Sequence, residues 1–355
     1  MAAKHAALRA LYPWTSRPLI VSAPMLNAAS PALAAAVILA GGIGFLPGGN
    51  DFAALDASVS ATKQLLGQRD VTLSAPQEKA ACAPLGIGFQ NWAVDVKVAE
   101  QIVTKHRPAI VWLFAPHHTD DHGVWADKIR QASGGATHVW IQVGTLQEAL
   151  HAVRVAKPEA LVLQGNDAGG HGLRESGSIV SLVPEAADAL SAAGHGHLPL
   201  LAAGGISDGR GVAAAIALGA SGVVMGTRFL ASEEAGISQG WKEWLVRAAD
   251  GGQSTTRSTL PDRLKETRGW PEAYDGRSLV GKGHHDERSG TADEENVRLY
   301  KQESRDGDAA WGSHGRMVAY AGTGVGLIQD IKPAAMIVRE TQKQAAEILK
   351  QAAGV

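Results

Sequence analysis

Eight times over its first ~245 residues the chain repeats one pairing, a short apolar run followed by a stretch of good helix formers. The apolar runs fall at 19–25, 43–46, 85–89, 109–115, 138–143, 160–163, 198–203 and 222–225. They are largely apolar rather than alternating, as strands are when both faces of a sheet are covered. The helical stretches span 32–40, 51–66, 93–106, 121–132, 146–155, 184–193 and 209–218, with a last one from Ser232. Ser30 stands where a helix N-cap belongs, Pro31 sits at the first helical position, and Gly41-Gly42 stops that helix. Eight βα units in about 250 residues is the arithmetic of a (β/α)8 TIM barrel. A doubly wound open sheet is the alternative.

Length supports the barrel. A chain of 355 residues is long for one domain of another kind, and 45% hydrophobic content is ample for a large core. Past Ala249 the composition changes. Residues 251–313 are polar, charged and rich in turn formers, and the helical signal stays faint until Lys332. The expected division is therefore a barrel over 1–249 and an irregular extension over 250–355 packed on it. Trp270 and Trp311 would anchor the extension, and a helix over 338–353 would end it.

A formal net charge of −2 provides no basic field, so nucleic acid is not an expected partner. The single cysteine, Cys82, excludes an internal disulfide and fits a reducing compartment. It reads as a small packing residue rather than a nucleophile. No stretch approaches a membrane span, and the first residues lack an uninterrupted apolar run. A soluble, cytoplasmic protein is the expectation, and a homodimer is compatible with it.

Three constellations bear on chemistry. The sixth apolar run leads into Gln164-Gly165-Asn166-Asp167-Ala168-Gly169-Gly170-His171-Gly172, which reads as a loop. Its glycines let the backbone turn sharply or approach a flat ligand, and His171 suits a general base near neutral pH. The plain alternative is a surface turn with a solvated histidine. After the seventh and eighth runs come Gly204-Gly205 and Gly226-Thr227, where barrels hold phosphate through glycine amides and a hydroxyl. The run His117-His118-Thr119-Asp120-Asp121-His122 invites a metal reading but matches no ligand spacing, so no metal site is expected. The run reads instead as a solvated loop on the substrate side of the barrel, and the histidines near 195–197 and 283–286 are read as solvated in the same way.

The motifs Ala23-Pro24-Met25, Gln164 through Gly172, Ala202-Ala203-Gly204-Gly205-Ile206 and Met225-Gly226-Thr227-Arg228-Phe229 together resemble those of nitronate monooxygenases. The stretch from Trp270-Pro271 to Tyr320-Ala321-Gly322-Thr323-Gly324-Val325-Gly326 is similar to the tail of fungal-type members. The resemblance implies an FMN-dependent barrel that oxidises alkyl nitronates, and by extension nitroalkanes, with O2 and without metal, to a carbonyl compound and nitrite. By the same resemblance Met25 would lie by the isoalloxazine, Gln164 would bond its edge, and Gly169 would approach FMN. Gly204, Gly205, Gly226 and Thr227 would hold the phosphate. His171 would be the catalytic base or the partner of the nitro group.

Two positions depart from the pattern. Asp167 stands where many relatives carry Glu, and Gly88 stands where several place an FMN-contacting Asn, a task that Gln90 or Asn91 would have to assume. The runner-up is an FMN-dependent enoyl-thioester reductase, which would need NAD(P)H and an acyl carrier. A phosphate-metabolite-binding barrel without catalysis is the non-enzymatic alternative.

Overall fold

The computed structural model describes residues 2–67 and 82–354. Residues 79–81, just before Cys82, lie outside them. The strands in chain order are β1 (Ile20–Ser22), β2 (Phe45–Pro47), β3 (Ala83–Gln90), β4 (Pro108–Phe114), β5 (His138–Val143), β6 (Ala160–Gln164), β7 (Gly170–Leu173), β8 (Leu200–Ala203), β9 (Gly222–Met225), β10 (Thr255–Ser258) and β11 (Tyr274–Leu279).

Eight of them form one parallel sheet in the order β1-β9-β8-β6-β5-β4-β3-β2. Setting β7 aside, each strand is bonded to its chain-order neighbour. The ring closes where Val21 bridges Ile43, with Ser22 N–H donating to Ile43 O at 3.0 Å and Ile43 N–H to Ile20 O at 3.0 Å. This is a TIM barrel, and the sequential, closed order excludes the doubly wound alternative.

The largely apolar character of the strands has its cause in the two cores. Along β6, Ala160 and Val162 join the interior cluster with Val21, Phe45, Trp112, Trp140, Leu201 and Val224, while Leu161 and Leu163 join the cluster beneath the helices. Burying each large side chain contributes roughly 1.5–3 kcal/mol. The helix Ala2–Leu11 leads into Tyr12, which is wholly buried in the interior cluster, its hydroxyl accepting from Trp140 Nε1 at 2.9 Å. Cys82 packs against the same cluster, and its thiol is pushed up by burial. That is the setting of a packing residue.

The helix Pro31–Leu39 begins at the expected cap, with Ser30 Oγ accepting from Leu33 N–H. Elsewhere a cue misled. The helix expected from Pro184 begins instead at Ile179, capped by Ser178, with Pro184 inside it. Burial of Ile179, Leu182 and Val183 against the barrel outweighs the hydrogen bond that the proline removes. The helix expected from Ser232 is replaced by a single turn, Thr227–Leu230, and a later helix, Gln239–Arg247.

The extension is more regular than its composition suggests. β10, β11 and β7 make an antiparallel sheet in the order β10-β11-β7. The segment 170–172, read as loop, is therefore a strand that pairs with the extension. Helices Leu260–Lys265, Lys282–Arg288 and Asp293–Glu303 follow in stretches where helical signal was faint. Their apolar contribution is narrow: Leu260, Leu264 and Val318 form a small core, with Val297 and Tyr300 against it. The last helix, Ala334–Ala353, returns to the barrel wall, where Gln344 Oε1 accepts from Gly209 N–H at 2.7 Å.

Candidate active site

All eight barrel strands run the same way, so the loops after them gather at one mouth, and the small sheet lies across it. His171 is on β7, opposite Gly276 of β11. A Cβ at Gly276 would lie 3.1 Å from Tyr320 Cε1, a tight contact, and 3.6 Å from His171 Nε2. Nε2 lies 3.0 and 2.9 Å from the two carboxylate oxygens of Asp262. Trp270 stacks on the other side, centroid to centroid 3.6 Å and 6° from parallel. Trp92, which follows β3, and Phe114, which ends β4, extend this aromatic wall at 4.8 and 6.3 Å from Trp270. Only 10% of the His171 side chain is exposed. It is an enclosed, partnered imidazole, and the solvated-turn alternative is set aside.

The loop between β6 and β7 is clamped chiefly by Arg257, with Arg277 Nε also donating to Asn166 O at 3.2 Å. Arg257 of β10 donates from Nη1 to the carbonyls of Asp275 (2.6 Å), Gly170 and Gly172 (both 3.3 Å), and from Nη2 to those of Ala168 (2.8 Å) and Asn166 (3.4 Å). Burial, with Arg277 close by, pushes this guanidinium down to about 10. Gln164 Nε2 donates to His171 O at 3.1 Å, which ties the end of β6 to β7. Asp167 Oδ1 accepts from Thr323 Oγ1 at 2.7 Å, and Asp167 O accepts from Thr323 N–H at 3.0 Å. The shorter acid at this position therefore has a definite task in joining loop and extension. Gly169 packs against the extension's backbone, with no room for a side chain: a Cβ would fall 2.5 Å from Ala321 C and Gly322 N.

The two glycine pairs are adjacent because β8 and β9 are paired, Ala203 beside Val224. Gly204 and Gly205 sit at φ +111° and +72°, a region open to glycine at little cost. Among the described residues, no backbone hydrogen bond is drawn from the amides of Gly204, Gly205 or Gly226. A Cβ on Gly226 would make only ordinary contacts, with Ala23 Cβ and Met25 Sδ, both at 3.8 Å, so this position is not tightly packed. Thr227 Oγ1 accepts from Gly322 N–H at 3.0 Å, which leaves its own proton free to donate. Three amides with no backbone acceptor among the described residues, and one hydroxyl with a proton to give, suit a phosphate monoester, whose oxygens accept. Met25, Gly204, Gly205, Gly226 and Thr227 thus border one neighbourhood, and Gln164, Gly169 and His171 belong to the loop and strand next to it.

At Gly88 a Cβ would lie 2.3 Å from Pro24 Cγ, so the backbone accommodates no asparagine with Pro24 in place. Asn91 accepts from Phe114 N–H at 2.9 Å, and its buried Nδ2 has no partner among the described residues. Of Gln90 and Asn91, it is Asn91 that holds an unpaired buried donor at this end of the barrel. Among the described residues no group of three or more His, Cys, Asp or Glu side chains is placed to hold a metal ion. Against the solvated-loop expectation, His122 and His284 are buried, His122 within the helix Asp121–Ser133, its imidazole pushed down to about 4, chiefly by desolvation. His284, pushed down to about 4 in the same way, accepts from Gly281 N–H.

Residues 12–343 match the family described as nitronate monooxygenase. The chain belongs to that family. It is similar to nitronate monooxygenase npaC of Metarhizium robertsii, 46% identical over 97% of this chain and 95% of the relative. It is also similar to a nitronate monooxygenase of Neurospora crassa, 35% identical over 97% of this chain and 93% of that one. Among solved structures it resembles FabK from Thermotoga maritima, with a TM-score of 0.73 and 25% identity over 98% of each chain. A nitronate monooxygenase is an oxidoreductase, and the family is one of flavoenzymes. Among the described residues no helix is long and apolar enough to cross a membrane.

In this nitronate monooxygenase the residues that enclose His171 are the ones that sequence reasoning missed. Asp262 lies 91 positions from its partner. Arg257 reaches back 85 to 91 positions to the loop it holds. The one available signal was a tryptophan within a polar stretch. Trp270 is not only an anchor of the extension but one wall of the site, whereas Trp311 is an anchor, stacked on Trp241 at 5.2 Å.

Proposed function

We propose that this nitronate monooxygenase binds FMN across the barrel mouth and oxidises alkyl nitronates with O2 to a carbonyl compound and nitrite. The observation that supports it most is the group of amides at Gly204, Gly205 and Gly226 that have no backbone acceptor among the described residues, beside an enclosed histidine. One such group suits one phosphate, and the chain has no Gly-x-Gly-x-x-Gly turn for a dinucleotide. FMN rather than FAD is therefore the expected flavin. In such a complex Thr227 would donate to the phosphate, Met25 and Gly169 would border the ring system, and Gln164 would bond its edge. Bound FMN supplies the redox chemistry, taking electrons from the nitronate and passing them to O2.

His171 acts on substrates that arrive as neutral nitroalkanes, by removing the α-carbon proton. A preformed nitronate has already lost that proton and does not need the base. The proposal includes a cytoplasmic enzyme, compatible with homodimeric assembly.

The test is anaerobic mixing of the purified yellow protein with an alkyl nitronate while the flavin spectrum is followed. Bleaching by nitronate, reversal by O2 and nitrite release are expected, and heat denaturation should free FMN. Bleaching by NAD(P)H with indifference to nitronate would instead favour an enoyl-thioester reductase. A flavin-free protein would point to a barrel without this chemistry.

A further inference from the structure

We propose that Asp262 is the positioning residue that sets the tautomer of His171, so that Nδ1 is the atom that takes the substrate's proton. This rests on the reading of His171 as the base. An ionised carboxylate only accepts hydrogen bonds, so a ring nitrogen between its two oxygens, at 3.0 and 2.9 Å, must carry the hydrogen. A neutral imidazole has one N–H, and Nε2 holds it. Nδ1 is left with its lone pair, and among the described residues it has no hydrogen-bond partner. The parallel stack on Trp270 holds the ring plane. A ring flip that offered Nε2 to the substrate would give up both carboxylate contacts.

The carboxylate is itself firmly placed. Asp262 lies in the helix Leu260–Lys265, which is seated by the buried Leu260 and Leu264 against Val318. Its backbone N–H donates to Thr259 O at 3.1 Å. The extension, not the barrel, therefore governs which nitrogen is basic. In the step itself the substrate's α C–H bond breaks and its proton goes to Nδ1. The electron pair becomes the C=N bond of the nitronate, and the negative charge passes to the nitro oxygens. The imidazolium that forms keeps its Nε2–H against Asp262, which stabilises it without taking its proton.

The test compares wild-type holoenzyme with Asp262→Asn, Asp262→Glu and His171→Asn. Asp262→Asn should lose turnover of neutral nitroalkane on the order of 10²-fold, the lower end of what a general base contributes. The loss on preformed nitronate should be much smaller, and Asp262→Glu should recover part of the nitroalkane rate. Histidine-selective 15N spectra supply the readout that a merely structural role would not move. The signal absent from His171→Asn should show Nε2 protonated and Nδ1 bare in wild type, and a mixed or inverted pattern in Asp262→Asn. Nδ1 protonated in the wild type would overturn the inference, as would an Asp262→Asn enzyme unchanged in both spectrum and nitroalkane turnover. If Asp262→Asn sheds its flavin, Asp262→Glu decides: a wild-type spectrum with restored turnover supports the role, and loss of both despite retained flavin rejects it. A wild-type enzyme inert toward both nitronate and nitroalkane would defeat the functional reading, while the spectra would still decide the tautomer.

Discussion

At Gly226 the backbone has φ −105° and ψ −76°, so it does not need the positive φ that favours glycine, and a Cβ there would make only ordinary contacts with Ala23 and Met25 at 3.8 Å. Substitution there separates folding from ligand binding. Gly226→Val should fold with wild-type helix content but retain little flavin, because the valine fills the volume assigned to the phosphate. Flavin-to-protein absorbance and far-UV circular dichroism check this, and full flavin occupancy would move the phosphate elsewhere. His122 presents a different residue-scale problem. Its Nε2 is buried with no partner among the described residues, and burial holds its imidazole down at about 4, below the usual 6.5 of a free histidine. The folded protein thus binds fewer protons here than the unfolded chain. This site's contribution to stability is complete above 6.5 and is lost as pH falls toward about 4. His122→Leu should therefore unfold in urea at much the same midpoint as wild type at pH 7 and at a higher midpoint at pH 5. A wider deficit at the lower pH would refute the assignment.

Among the elements, the barrel strands were legible and the small sheet was not, for a physical reason. β5 and β9 are found with the limits the sequence suggested, since a strand covered on both faces announces itself in its own residues. β7 reads Gly-His-Gly-Leu and β10 Thr-Thr-Arg-Ser, with no apolar run or clean alternation. β7 pairs with β11, roughly a hundred residues further on, so no local pattern encodes that contact. The same split runs through the site. Gly204, Gly205, Gly226, Thr227 and His171 could be read from strand order, but Asp262, Arg257 and Thr323 become relevant only once the extension has folded back. The element most dependent on this return is the 165–169 loop, whose carbonyls rely on the β10 guanidinium. Arg257→Met would strip several buried carbonyls of their donor and remove a charge that no carboxylate pairs directly. We expect weaker flavin retention and a lower kcat/KM for nitronate with the far-UV spectrum preserved. Arg257→Lys should not restore them, because a single ammonium cannot span acceptors on both sides of the loop. Wild-type kinetics in either variant would show that the loop holds itself.

For the whole molecule the question is whether residues 1–249 are a domain in their own right. Ala28, Leu230, Ala231 and Leu245 lie before the boundary, yet they are buried in one cluster with Leu279, Ala319, Ala321, Val325 and Ile328 beyond it. Ala334, Ile337, Val338 and Ala345 of the last helix belong to the main core beneath the barrel's helix layer. Ser207 Oγ and Gly324 O, 2.9 Å apart, tie the loop after β8 to the extension as well. Cutting at Ala249 would expose apolar surface on two sides of the barrel and leave His171 without Asp262. Regions that share buried surface in this way unfold together. Urea unfolding of the full holoenzyme should therefore follow one transition, the same by near-UV circular dichroism and by flavin fluorescence. A chain ending at Ala249 should fail to accumulate as a soluble monomer and should retain no flavin. Two separated transitions, or a soluble 1–249 fragment that stays yellow, would mean that the barrel folds first as an independent unit and acquires its histidine partner afterwards.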